Sequence, residues 1–211
     1  FIDRVVRAAL ERRLDYLDLQ VSSAKLRMLE ALEKEIRTSD LCFVTDGGFH
    51  PGLPGLLVRH LAAGMDSTTT AGVASVINPP GGYPLTSGVD ELMRMFMDYR
   101  AEVLRDGNWI EQRYRDLKPV AVDFGPAFGV RNCYPMGLEE MRDLPGLVPG
   151  LRNTAFYVGG TGFFMDAVIT PVVMVGLRLF REKALSRMGE LFCWGSRFAP
   201  PPHGVVVKAE A

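Results

Sequence analysis

The chain of 211 residues is 47% hydrophobic and 23% charged, enough for a full core and for two small lobes. Its 24 Lys and Arg against 25 Asp and Glu give a formal charge of −1 with the basic residues scattered, which excludes an electrostatic footprint for nucleic acid or an anionic membrane. Cys42, Cys133 and Cys193 are odd in number, far apart and without a C-x-x-C pair, which excludes a disulfide framework and a zinc site and leaves a reducing, cytoplasmic compartment as the simplest setting. Taken in order, residues 2–12 place Val5, Val6, Ala9 and Leu10 on one helical face, a charged helical pattern unlike a signal or transit peptide. Residues 14–19 then alternate as a short strand. Ser22 and Ser23 are candidate caps of a helix whose apolar face is Leu26, Leu29, Leu32 and Ile36.

Residues 41–45 form a β-favouring apolar run, a Gly/Pro cluster follows, and residues 53–63 resume helical spacing. The pattern is strand, tight turn, helix, at the carboxyl edge of a parallel sheet. A helix start in that place offers free N–H groups and a positive dipole end to a ligand, while Gly47 and Gly48 permit close backbone approach. A connection that merely packs well is the alternative. Beyond residue 66 the expected elements are a strand over 67–77, a Pro/Gly loop at 78–82, a helix from Ser87 or Asp90 to about Arg105, and strands over 109–114 and 117–124. An irregular stretch covers 126–135, a short helix 137–144 and a strand 153–159. A long helix over 161–188 interrupted near Pro171 and a last strand over 204–209 complete the pattern. The most apolar window, 163–180, contains Asp166, Pro171 and Arg178 and is expected as a buried helix rather than a membrane span.

The stretch Gly48-Phe49-His50-Pro51-Gly52-Leu53 after an apolar strand resembles the Gly-x-x-Pro-Gly-Leu turn of the saccharopine dehydrogenase-like oxidoreductases. The resemblance continues through residues 103–109, 123–129 and 149–157 in the same order. It implies an α/β fold: the end of a Rossmann-like parallel sheet over residues 1–64, then a mixed-sheet substrate and dimerisation domain over 65–211 with helices on one face. It also implies an NAD(P)-dependent enzyme that passes a hydride to or from an imine, amine or related carbon of a small molecule, or a non-catalytic relative that keeps the fold as a binding or dimerisation module. A homodimer is expected, because a sheet with helices on one face leaves the other for a partner. The G-x-G-x-x-G fingerprint of such enzymes is missing; Gly160-Thr161-Gly162 lacks the third glycine and lies too far downstream. The resemblance puts the fingerprint upstream of Phe1, so these residues alone are expected not to bind NAD(P) tightly.

Within the turn, Gly47, Gly48, Phe49, Pro51 and Gly52 are the residues expected to touch the cofactor. His50 is suited to proton transfer by its ordinary pKa near 6.5, with a structural hydrogen bond across the turn as the alternative. Asp18, two residues after Tyr16 at a strand end, sits where related dehydrogenases place a Tyr-x-Asp near the nicotinamide; a solvated strand-end carboxylate is the other reading. Arg131, Tyr134, Arg152 and Tyr157 fall in the segment that the resemblance assigns to substrate, and arginine is a bidentate partner for a carboxylate. Ser22-Ser23-Ala24-Lys25 matches S-x-x-K without the companion motifs of acyl transfer and is read as coincidence. Cys133 has no neighbouring histidine to make it a nucleophile.

Overall fold

The computed structural model describes residues 2–19, 23–113 and 116–211, so Ser22 as a cap and Tyr114 as a strand end lie outside it. The chain is α/β. Helix α1 (Ile2–Arg12) buries Val6 and Ala9. Strands β1 (Tyr16–Leu17) and β2 (Phe43–Val44) pair in parallel, Tyr16 opposite Phe43 and Leu17 opposite Val44. A parallel pair needs a crossover, here α2 (Ser23–Ala31) and α3 (Glu33–Thr38). After the turn comes α4 (Leu53–Ala63), whose wholly buried Val58 packs into the core of the larger sheet.

That sheet has seven strands: β3 (Thr70–Asn78), β4 (Ala101–Arg105), β5 (Asn108–Gln112), β6 (Val120–Asp123), β7 (Val130–Met136), β8 (Asn153–Gly159) and β9 (Gly204–Glu210). It is mixed. Only β3 and β8 run parallel, and β8 is shared: Thr154 meets Leu104 of β4, while Phe156 to Gly159 pair with Met136 to Cys133 of β7. Central β3 is apolar on both faces, as a strand covered twice must be. Ala71 and Val73 join Val58, Met141, Leu144 and Phe156 on the helical side. Ala74 and Val76 meet Phe124 and Cys133 on the other, under the β6–β7 ribbon. On the helical side lie α5 (Ser87–Met97), α6 (Glu139–Arg142), α7 (Leu144–Leu147), α8 (Thr170–Phe180) and α9 (Leu185–Ser196), with α5, α8 and α9 sharing a core around Met93, Val173, Leu177 and Phe192.

Two expectations need correction, and a third gains detail. The helix expected to run to Arg105 stops at Met97, because Asp106 (φ 51°) and Gly107 (φ 81°) form a hairpin turn that draws Ala101–Arg105 into pairing with Asn108–Gln112. Residues 126–135, expected as irregular, hold β7: Gly125 and Gly129, both at positive φ, close a turn in which Phe124 N–H donates to Gly129 O (3.0 Å). The helix expected over 161–188 is interrupted next to Pro171, where a π-helical segment, Met165–Ile169, gives way to α8, and it has a second break at Arg181 (φ 48°). Pro171 lies in continuous helical backbone, with Ile169 and Thr170 both in the right-handed region, so its missing N–H takes one donor out of the helix just where the π-helical pairing gives way to α8. That apolar window is also buried on one side only, since Val172, Val175 and Leu179 lie opposite Val173 and Leu177 and are exposed. Among the described residues no helix is long and apolar enough to cross a membrane.

Candidate functional site

The turn between β2 and α4 closes on itself. Gly48 N–H donates to Pro51 O (3.0 Å), Leu53 N–H to Gly48 O (3.1 Å), and Gly47 N–H to Asp18 O (3.1 Å) at the exit of β1. Gly52 has φ 121°, and a Cβ there would lie 2.2 Å from the carbonyl oxygen of Asp46. Gly48 is not in the left-handed region; its Cβ would stand 3.2 Å from Pro51 O, a tight contact but a milder one. Pro54 stands in the first turn of α4. The open helix N-terminus expected from the sequence is closed: Gly52 N–H donates to Oε1 of Glu140 (2.8 Å) and Gly55 N–H to Oε2 (3.1 Å). Burial raises the Glu140 pKa and those two bonds pull it back. Its helix α6 is tied in turn to β4, where Arg142 donates twice to the buried Glu102, at 3.0 and 2.5 Å.

Asp18 lies at the same edge in a different company. The Lys25 ammonium, with its side chain 0% exposed, bridges Asp18 and Oδ1 of Asp46 (2.8 Å), and Thr45 Oγ1 donates to Asp18 Oδ2 (3.1 Å). The cluster fastens the exits of β1 and β2 to α2. Next to it the Tyr16 hydroxyl is pushed up to about 12, first by burial and then by its hydrogen bond to Asp18 and the charge there. Lys25 carries no role in the S-x-x-K reading. What marks it is its position four residues before buried Leu29, on the apolar face of α2, where a lysine needs anionic partners.

A cavity of about 430 Å³ opens between the helical side of the large sheet and α5, α8 and α9, with His50 of the turn in its wall. The His50 ring lies against Phe49 and Phe156 (centroids 5.1 and 5.5 Å), and its buried Nδ1 has no hydrogen-bond partner among the described residues. Burial lowers its pKa, which keeps it neutral near pH 7. Asp166 projects from the π-helical segment, Oδ1 accepting from Thr161 Oγ1 (2.7 Å) and Oδ2 from Gly162 N–H (3.2 Å). Burial raises its pKa, against the pull of those bonds. Tyr134 also lines the cavity, and its hydroxyl pKa is raised by burial first and then by the charge of Asp166. The hydroxyls of Tyr83 and Tyr99 are spent on Ile77 O (2.9 Å) and Pro135 O (2.5 Å).

The fold is similar to that of apo saccharopine dehydrogenase (L-Glu forming) from Saccharomyces cerevisiae. The two superpose with a TM-score of 0.56 at 17% identity, over 82% of this chain and 41% of that one. The chain therefore spans less than half the length of the yeast protein, and at this identity the likeness is one of fold. No protein-family model matches the chain, and no curated protein matches it.

In this saccharopine dehydrogenase-like fold the other candidate residues stand apart from the cavity. Arg131 directs its guanidinium at carbonyl oxygens of Phe128 (2.8 Å), Gly160 (3.3 Å) and Pro201 (3.5 Å). Arg152 is exposed and donates to Asp106 O (3.2 Å). Tyr157 points to the opposite face of the sheet, into an open cleft of about 880 Å³ beside β6. Asp18 does not line the cavity either. The Cys133 thiol is fully buried and pushed up to about 12 by burial first, a resting thiol rather than a nucleophile. Among the described residues no group of His, Cys, Asp and Glu is placed to hold a metal ion.

Proposed function

We propose that the chain is the substrate-holding part of an oxidoreductase that moves a hydride between NAD(P)H and an imine, amine or related carbon. The observation that carries this reading is the meeting, in one cavity, of His50 from the strand-to-helix turn with Asp166 and Tyr134 from the large sheet and its helices. A neutral imidazole with an unpartnered Nδ1 is equipped to hold or take a proton at that atom. The Asp166 carboxylate favours positive charge on a nearby nitrogen, and a protonated imine is the better hydride acceptor. Tyr134 can donate a hydrogen bond to the same group.

The turn fits only part of the cofactor. A diphosphate needs unengaged N–H groups, and those of Gly47, Gly48, Gly52, Leu53 and Gly55 are all engaged within the chain. Gly47, Gly48, Phe49, Pro51 and Gly52 therefore offer packing surface for the nicotinamide end and no cradle for the phosphates. When bound, NAD(P)H supplies the hydride; this chain's residues hold the substrate and its proton. The 211-residue chain is expected to show no micromolar NADPH binding in a fluorescence titration. In a longer protein containing this chain, His50→Gln should lower turnover on the order of a hundredfold. Unchanged turnover with an unchanged pH profile removes His50 from the chemistry.

The same reading places a boundary near residue 64, with α4 as the element that docks the first part onto the sheet of the second. It includes a homodimer in a reducing, cytoplasmic setting, supported by three free cysteines and by the exposed outer face of α8. Light scattering that gives a strict monomer at tens of micromolar removes the dimer.

A further inference from the structure

We propose that the cavity takes a mainly apolar amine or imine that carries no carboxylate of its own, with its nitrogen against Asp166. This rests on the cavity being the substrate site, as proposed above. The walls are apolar: Met95, Phe96, Met136, Met165, Met174 and Phe192 supply most of the bulk. Their polar neighbours are largely satisfied within the chain, as Tyr83 is by Ile77 O and Asn78 is by Pro200 O and Pro202 O (2.9 Å each). No lysine or arginine of the described residues lines the space. Arg131, the nearest candidate in sequence terms, is turned away onto three carbonyl oxygens.

The consequence for charge is one-sided. Asp166 is the carboxylate in the lining, and His50, which also lines the space, stays neutral near pH 7 because burial resists its protonation. A ligand carboxylate would leave water for a space that holds no cation and already holds an anion, which is costly in a low-dielectric setting. A protonated nitrogen meets the opposite situation, with Asp166 as its counter-charge and apolar and aromatic walls around its carbon skeleton. A volume of about 430 Å³ lies within the range of ordinary small-molecule sites. An amino-acid substrate would need a carboxylate clamp that this cavity lacks, so the ligand class differs from amino acids even though the fold is similar to that of saccharopine dehydrogenase.

The test is binding, kept separate from turnover. Phenylbutylamine, phenylbutanol and phenylbutyrate share one skeleton and differ in the charge of the end group. Calorimetric titration of the full chain at neutral pH should rank them amine, alcohol, acid, with about tenfold or more between the first and last. Asp166→Asn should bring the amine down to the level of the alcohol and leave the alcohol unchanged. Because Asp166 also holds Thr161 and Gly162, a second variant guards against misfolding: Met174→Lys, which places a cation in the same wall, should reverse the order in favour of phenylbutyrate. Phenylbutyrate binding best to the unmodified chain overturns the ligand class and leaves the cavity as a binding site. Binding of none of the three overturns both. In a longer protein that contains this chain and binds NAD(P), absence of hydride transfer from a bound amine to NAD(P)+ or from NAD(P)H to a bound imine overturns the oxidoreductase reading and leaves the ligand class standing.

Discussion

Two aspartates separate the structural from the chemical part of the molecule. Asp18 sits at the β1–β2 edge with the Lys25 ammonium and the Thr45 hydroxyl against it, and a second carboxylate, Asp46, shares the same buried lysine. Asp166 sits in the wall of an apolar cavity with a hydroxyl and backbone N–H groups as its donors and no lysine or arginine in the lining. The first arrangement has its cation supplied by the chain itself. The second is held by hydrogen bonds alone while burial raises its pKa, so a ligand that brings a positive charge gains from it. The contrast teaches that a carboxylate beside a recognised turn is a weaker indication of chemistry than one whose compensation is left to a ligand.

The sharpest way to break the comparison is to remove the lysine. Lys25→Met keeps the length of the side chain and leaves Asp18 and Asp46, 14% and 17% exposed, facing each other without a cation. Breaking a buried ion cluster from one side costs about 3–5 kcal/mol, so urea denaturation should show a loss of about 3 kcal/mol. A loss under about 1 kcal/mol would mean that the cluster is solvated in solution and that Asp18 is open to a ligand after all.

Gly52→Ala comes next. The residue is at φ 121° and the added Cβ would meet Asp46 O at 2.2 Å and Gly48 O at 2.8 Å, all backbone. Strain of this kind costs about 1–3 kcal/mol, and Gly48→Ala, which meets Pro51 O at 3.2 Å without a positive φ, should cost less. Equal melting temperatures for the two variants would show that the turn relaxes around either. Glu140→Gln is smaller again, about 1 kcal/mol, since the amide still accepts one of the two bonds from Gly52 and Gly55 but loses its charge. Amine binding in the cavity should be unaffected by it, which separates the helix cap from the site.

Local apolar spacing made several elements legible. α1, α4 and β8 run over the residues their patterns mark, because each buries a face that its own sequence defines. β4 and β7 were not legible, since they are strands by virtue of their partners: the first continues the spacing of α5 until a hairpin captures it, and the second contains Pro135 and pairs with β6 and β8. The site divides in the same way. His50 and Tyr134 stand out in sequence as titratable residues in resembling segments. Asp166 shows only as a polar break in an apolar window, and Glu140 acts 88 residues from Gly52, a distance that no local pattern spans.

The smallest expected effect concerns His50 and is read as a difference. Burial depresses the folded-state pKa of His50 below its ordinary 6.5, so the unfolded chain takes up this proton more readily than the folded one. The associated stability is present above about pH 6.5 and is lost as pH falls through the folded-state value. His50→Gln removes the titration while keeping a polar side chain. The stability of the unmodified chain relative to His50→Gln should therefore fall on going from pH 8 towards pH 5. Asp166 and Glu140 are raised rather than lowered, so their contribution runs the other way, present at low pH and lost as pH rises through their folded-state values. Both groups are common to the two proteins and cancel in the difference. Melting temperatures measured in parallel across that range check the point: a constant gap would show that the His50 ring is solvated and that its Nδ1 is not held for a ligand, whereas a gap that shifts against the unmodified chain in acid, and that a bound amine narrows or widens, ties the imidazole to the same cavity as Asp166.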